Sequence, residues 1–434
     1  MLYVKAGGAP DDLVVRGARV LDPAWGLDEL CDVRVDKGVI AALGTDVDAN
    51  GHRVVDGAGL VLAPAFVDPH VHLRVPGGED EETIASGTAA AAAGGYCAIL
   101  AMPNTDPVVD SASVLGSLIE DAKAQAEIPV GFLAAITRGQ DGAELTEMVE
   151  LAEQGAAGFT DDGRPVVAPG LMRRALQYHG ITGRRLALHC EEPTLSKGGQ
   201  MHEGAVSAEL GFTGYPSVAE SVMVERDLSL AAYEDAPLHL LHLSARESVE
   251  ALRAARQKGV AATAEVTPHH LCLTDEAVRS LDSNLKMNPP LRSADDRAAL
   301  VEGLLDGTIG SIATDHAPHA RHEKEVPFEA APFGVTGLET SFAVLNTHLV
   351  EAGVVPLETL LERMTAGPAR AYGLDEPRIE VGAPANLVLL DTERAWRVEE
   401  DGFRSRSVNS WLLGQTLKGQ VRLTIAAGRV AFSG

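Results

Sequence analysis

Short apolar runs recur along the middle of the chain, separated by stretches whose apolar positions follow helical spacing. The runs fall at 61–67, 96–101, 129–136, 156–159, 186–188, 238–243, 260–266 and 309–313. They do not alternate apolar with polar as a half-wet strand would, so they read as strands buried on both faces. Between most of them lie helical segments, such as Glu82 to Ala93, Ser113 to Ala126, Leu145 to Gln154 and Arg246 to Lys258. Eight buried strands alternating with helices predict an α/β fold, a (β/α)8 TIM-type barrel. A doubly wound open sheet is the alternative, but it calls for a glycine-rich phosphate turn after the first strand. The pair Gly77-Gly78 does not make one. The segment 190–237 exceeds a single crossover and predicts an extra loop over the barrel mouth.

The two ends of the chain have a different pattern. Residues 12–16, 19–21, 32–35 and 39–43, and then 385–390, 423–426 and 429–432, are short apolar stretches bounded by Gly, Asp or Pro. Neither end carries enough strand to bury a core alone. The expectation is one small β-sandwich domain built from residues 1–62 and 374–434, flanking a barrel of residues 63–373.

Composition narrows the function classes. A length of 434 residues suits one large barrel with an appendage. With 45% hydrophobic and 23% charged residues the chain has ample core material. Its 36 basic against 62 acidic residues, a formal charge of −26, argue against a nucleic-acid footprint and against an anionic membrane surface. An anionic substrate would have to be drawn by a local cation. Cys31, Cys97, Cys190 and Cys272 lie far apart with no C-x-x-C pair and read as buried small hydrophobes. No basic-then-apolar leader opens the chain, and the apolar window Thr88 to Met102 is too short to span a bilayer, so a cytoplasmic location is expected.

The candidate chemistry lies where the predicted strands end, the rim on which barrels of this kind place reactive groups. After the first run comes Asp68-Pro-His-Val-His-Leu-Arg74, whose His70 and His72 project from one side of an extended chain. The fourth run ends in Asp161-Asp162-Gly163, the fifth in His189, the sixth in His242 and the eighth in Asp315. Singly, each has a bland explanation: a core histidine, an Asp-Gly turn, a capping aspartate. Together, four imidazoles and two carboxylates suit a pair of divalent ions, and the nitrogen-rich set favours zinc over magnesium. The residues alone do not rank Asp161 against Asp162.

Several motifs carry a resemblance. His70-Val-His-Leu-Arg74 with Pro76-Gly-Gly-Glu79, Met102-Pro-Asn-Thr105, Thr160-Asp-Asp-Gly163, Ala264-Glu-Val-Thr-Pro-His-His270, Lys286-Met-Asn-Pro-Pro-Leu-Arg292 and Ala313-Thr-Asp-His-Ala-Pro-His319 resemble the type I branch of the bacterial dihydroorotases, within the amidohydrolase superfamily. The resemblance runs from about residue 10 to the end. It implies reversible closure of N-carbamoyl-L-aspartate to L-dihydroorotate in pyrimidine biosynthesis. It also implies two zinc ions, one on His70, His72, Asp162 and Asp315 and one on Asp162, His189 and His242, with Asp162 bridging and Asp161 bracing the turn. Asp315 would be the general acid and base. Substrate contacts would come from His72, Arg74, Asn104, Asn288, His319 and the backbone around Phe333 and Gly334. Related hydantoinases and allantoinases bridge their metals with a carboxylated lysine at the fourth strand; Gly158-Phe-Thr-Asp-Asp162 has none. Val75 stands where many members carry glutamate. The resemblance further implies a possible association with aspartate transcarbamoylase, for which a scaffold-only role is an alternative, and a homo-oligomer is expected. His269 and His270 are expected to orient loops or the side chains that hold metal, rather than bind it. His239 is expected to be structural or exposed, Cys190 to be buried, and the charged loop 316–333 is a candidate lid.

Overall fold

The computed structural model describes residues 1–8 and 10–434. Among them, the apolar runs form one parallel eight-stranded sheet in chain order: Phe66–Val71, Tyr96–Ala101, Val130–Ala134, Gly158–Phe159, Leu186–Leu188, Leu238–Leu240, Ala262–Val266 and Ser311–Ile312. Past the end of the eighth strand the chain returns to the first. Val71 bridges His316, the His72 N–H donates to the His316 carbonyl at 2.8 Å, and the Asp68 carboxylate accepts from the Thr314 backbone. The sheet thereby closes into a barrel, as the alternation of runs and helices predicts. Each intervening helix turns its apolar positions inward. Arg246–Gln257, for instance, buries Ser248, Val249 and Leu252, one helical face. The first helix, Ile84–Ala93, starts at Thr83, whose hydroxyl accepts the Ser86 N–H in a capping box.

One boundary differs from the sequence pattern. The run 61–67 is two strands of two different sheets. Val61–Pro64 pairs antiparallel with Leu387–Leu390 and parallel with Arg19 and Val20, in the sheet built from the chain ends. Pro64 has no N–H to continue a ladder, and after Ala65 the chain enters the barrel at Phe66. The barrel strand therefore runs through Asp68, Pro69 and His70 rather than stopping before them. All ten residues of Val61–Pro64 and Phe66–Val71 are buried, so hydrophobicity carries no trace of the change of sheet.

The two ends do pair. A mixed sheet runs Arg429–Ser433, Thr416–Ala426, Leu387–Arg397, Val61–Pro64, Leu13–Asp22, Leu27–Asp36 and Val39–Gly44, with Arg53–Asp56 beside Leu13–Asp22. The stretches 12–16 and 19–21 are one strand, continuous through a bulge near Gly17, whose φ of 67° suits glycine. One face of this sheet, including Val15, Val33, Leu62, Leu387 and Leu389, forms its own core. The other, with Val61, Ala63, Val388 and Leu390, joins the barrel core. Phe66 sits at this seam, fully buried, with its ring 5.5 Å from Tyr96 and 5.9 Å from Phe342. Phe66→Ala is expected to destabilise the fold by about 3–5 kcal/mol, read as a lower denaturant midpoint with an unchanged slope.

The long segment after the fifth strand adds a two-stranded ladder, Met201–His202 with Gly214–Tyr215, and the helix Ala205–Leu210. Its Met201 and Val206 join Met287, Leu291, Phe328 and Val335 in a separate apolar cluster. The loop 316–333 contains the short helix Arg321–Lys324 and is pinned from two sides. Lys324 Nζ donates to the Pro332 carbonyl, and Lys286 Nζ, over the Phe333 ring at 4.9 Å, donates to that of Glu329. Among the described residues no helix is long and apolar enough to cross a membrane. Cys31, Cys97 and Cys190 are buried, Cys272 is partly exposed, and all four are free thiols.

Candidate active site

The strand ends bring His70, His72, Asp162, His189, His242 and Asp315 into one buried cluster. Asp162 faces all four imidazoles. Its Oδ2 lies 3.7 Å from His70 Nε2 and 3.5 Å from His72 Nε2, and its Oδ1 lies 3.5 Å from His189 Nδ1 and 3.4 Å from His242 Nε2. Asp315 Oδ1 is 3.0 Å from His72 Nε2 and 3.4 Å from His70 Nε2. His189 Nδ1 and His242 Nε2 stand 3.0 Å apart. Two atoms in the cluster, His70 Nε2 and Asp162 Oδ1, are buried without a hydrogen-bond partner. Asp161 turns away, accepting the backbone N–H groups of Ile136 and Thr137 at 2.7 and 3.1 Å. Three site residues hold left-handed backbone, His242 at φ 28°, Asp315 at 49° and Arg74 at 59°. Non-glycine residues persist there only when their surroundings enforce it, which is common at functional sites.

A surrounding layer fixes the orientation of these rings. A carboxylate only accepts, so His70 Nδ1–H donates to Glu265 Oε1 at 2.7 Å and turns its Nε2 lone pair to the cluster. His239 donates Nε2–H to the other oxygen of Glu265 at 2.9 Å and accepts from Thr263 through Nδ1. His189 donates Nε2–H to Glu191 Oε2 at 2.9 Å, which leaves Nδ1 facing Asp162. His72 donates Nδ1–H to Asn104 Oδ1 at 2.9 Å, and Asn104 Nδ2 donates on to Asp162 at 3.3 Å. Burial works against ionisation of Glu265, but His70 and His239 hold its carboxyl down at about 2. Burial likewise opposes the charged form of His189, yet its contacts with Asp162 and Glu191 push it up to about 10. Asp162 is held well below the usual carboxylate range, because the imidazoles of His70, His189 and His242 outweigh its desolvation.

A cavity of about 140 Å³ opens over the cluster, lined by His72, Arg74, Asn104, Asp162, His189, His242, Asn288, Asp315, Phe333 and Gly334 among others. His70 lies behind this lining, completely buried. Arg74 Nε is held by Glu81 at 2.9 Å and by the Pro318 carbonyl at 3.0 Å, while Nη2 approaches His319 Nε2 at 3.3 Å. His319 donates Nε2–H to the Phe333 carbonyl at 2.8 Å, and its own N–H is bound by Asn409. Asn288 Nδ2 donates to Glu191 Oε2 at 3.1 Å, and its Oδ1 is buried without a partner. His270 bridges Thr267 and the Pro289 carbonyl, so it holds the loop that carries Asn288.

Sequence reasoning missed Glu265, Glu191 and Asn409; of the two expectations for His239, structural or exposed, the structure bears out the first. Glu265 had a signal: a carboxylate in the middle of a buried strand requires a partner. Glu191, beside Cys190, and Asn409, in a terminal loop, had none. His316, assigned no task, is buried between Glu82 Oε2 at 3.3 Å and the Gly337 N–H.

A closed parallel barrel with imidazoles and carboxylates gathered on one rim defines a class, the amidohydrolases, and residues 254–432 match the model of the amidohydrolase family. Residues 59–248 match the dihydro-orotase-like model. The dihydroorotase of Pelotomaculum thermopropionicum is 47% identical over 96% of this chain and 98% of its own length. That of Geobacter metallireducens is 44% identical over 97% and 99%. Among solved structures, the L-hydantoinase (dihydropyrimidinase) of Arthrobacter aurescens superposes with a TM-score of 0.87 at 26% identity, covering 97% of this chain and 96% of that one. The dihydropyrimidinase of Brevibacillus agri shares the fold at a TM-score of 0.83 and 23% identity, over 96% and 94%. The chain belongs to the dihydroorotase family.

Proposed function

We propose that the chain is a zinc-dependent dihydroorotase, interconverting N-carbamoyl-L-aspartate and L-dihydroorotate in pyrimidine biosynthesis. The observation that carries this reading is the placement of Asp162 within reach of four inward-facing imidazoles. The donor set fits divalent ions: His70 Nε2 and Asp162 Oδ1 are buried with nothing to bond, and such groups are retained where a cation satisfies them. His70, His72, Asp162 and Asp315 would hold one zinc, and Asp162, His189 and His242 the second, with Asp162 shared. When bound, such ions lower the pKa of a water towards neutrality and polarise a carbonyl.

The chain's own residues then divide the remaining work. In the hydrolytic direction Asp315 takes the proton of the attacking water and delivers it to the departing ring nitrogen. In the ring-closing direction it takes the proton from the carbamoyl nitrogen and gives it to the departing oxygen. Arg74 supplies the local cation that an anionic substrate needs on a chain of charge −26, and its planar fork suits a carboxylate. Asn104, Asn288 and the Phe333–Gly334 backbone complete the pocket, and His319, outside its lining, reaches it through Arg74 and the Phe333 carbonyl. Asn104 also ties His72 to Asp162, so it serves the metal side as well. Arg74→Lys is expected to raise KM about tenfold with a smaller change in kcat, since lysine keeps charge but loses the fork. An unchanged KM in steady-state assays would remove Arg74 from substrate binding.

Dihydroorotate hydrolysis by the purified chain tests the whole reading. Activity should disappear with a chelator and return with about two equivalents of zinc. A hydantoinase-type cyclic amidase would turn over hydantoin or dihydrouracil faster than dihydroorotate. The lack of lysine at the fourth strand and the arginine facing the cavity favour the dihydroorotase. A chain that only scaffolds aspartate transcarbamoylase would show no hydrolysis, alone or in the complex.

A further inference from the structure

Resting on the reading above, we infer that Glu191 is a positioning residue that sets the metal side and the substrate side of the pocket together. One oxygen, Oε2, serves both: it accepts His189 Nε2–H at 2.9 Å and Asn288 Nδ2 at 3.1 Å. The other, Oε1, accepts the hydroxyl of Ser196, which comes from the helix Pro193–Ser196 in the long segment after the fifth strand. Both partners of Oε2 line the cavity, while Glu191 stands behind them.

The consequences follow from donor and acceptor chemistry. Because Glu191 accepts the Nε2–H of His189, that ring turns its Nδ1 to Asp162, the atom at which a bound metal would take the place of a proton. Because it also takes an Asn288 N–H, the Asn288 amide is oriented with its oxygen free. That oxygen is buried and unpartnered, so the pocket edge at Asn288 is an acceptor. It selects a substrate that presents an N–H there, which dihydroorotate and the ureido group of carbamoyl aspartate both do. A substrate edge bearing only acceptors would leave Asn288 Oδ1 unsatisfied and be rejected.

The test separates this role from plain structural support. Glu191→Leu should weaken zinc binding about 10–100-fold in a chelator competition and raise KM for dihydroorotate about three- to tenfold. Glu191→Gln keeps one oxygen able to accept both N–H groups and should restore KM while recovering zinc affinity only in part. Asn288→Ala should raise KM with zinc affinity unchanged, and adding Glu191→Leu to it should raise KM no further. Should the leucine variant not fold, Glu191→Asp, one methylene shorter, carries the same comparisons. Fully additive KM effects, or zinc affinity equal to wild type in every Glu191 variant, would overturn the inference. If wild type fails to hydrolyse dihydroorotate, the proposed function falls; unaltered zinc affinity in the Glu191 variants would then overturn the positioning role as well, and weakened affinity would uphold its metal half.

Discussion

Asp315→Asn is expected to lower kcat about a hundred- to ten-thousand-fold at saturating zinc, the range that a positioned general acid and base contributes, and, because Asp315 is also a proposed ligand, to weaken the first zinc. Asparagine preserves the shape of the side chain and an oxygen towards His72 and His70, but it cannot accept and return a proton. The backbone is prepared for this residue. Asp315 sits at φ 49°, a conformation asparagine tolerates, and its neighbour Thr314 is fastened to Asp68 through backbone and hydroxyl. The substitution therefore isolates proton transfer from folding. Steady-state assays across pH give the check: a kcat within about tenfold of wild type would assign the proton to another group.

The second large effect belongs to Asp162. Asp162→Ala removes the carboxylate that faces four imidazoles, and on the proposed reading the zinc it would hold should be lost with it, taking activity down by about 10⁴-fold or more. Asp161→Ala provides the contrast. It removes acceptors for the Ile136 and Thr137 N–H groups, so it should cost about 1–3 kcal/mol of stability and leave zinc content unchanged. Elemental analysis and denaturant unfolding of the two variants decide the matter. If the Asp161 variant lost its zinc and the Asp162 variant kept it, the assignment of the pair would be reversed.

The pair also marks what the chain reveals before it folds. The strand ends were legible because burial is written in composition: an apolar run that stops at His189, His242 or Asp315 announces both a strand and what it delivers. Geometry then separated Asp161 from Asp162: in the turn after the strand the first is held by the Ile136 and Thr137 backbone and the second faces the imidazoles. Less visible were groups whose purpose depends on distant partners. Glu265 reads as an anomaly in a strand until His70 and His239 arrive on either side. Glu191 shows its second partner only when Asn288 arrives, supplied by a loop far along the chain. The break at Ala65 was hidden for a related reason. A residue covered by one sheet is as apolar as a residue covered by another, so the pattern reports that Val61 to Val71 is buried but not by what.

That break has a consequence for how the molecule is made. Val61–Pro64 finds its antiparallel neighbour only in Leu387–Leu390, so during synthesis the strands before the barrel wait with an open edge until that stretch has left the ribosome. Long-range pairings of this kind close slowly, and unpaired edges are where nascent chains aggregate. The strands that precede the barrel are thus completed only after it, and their edge stays open while the barrel is translated.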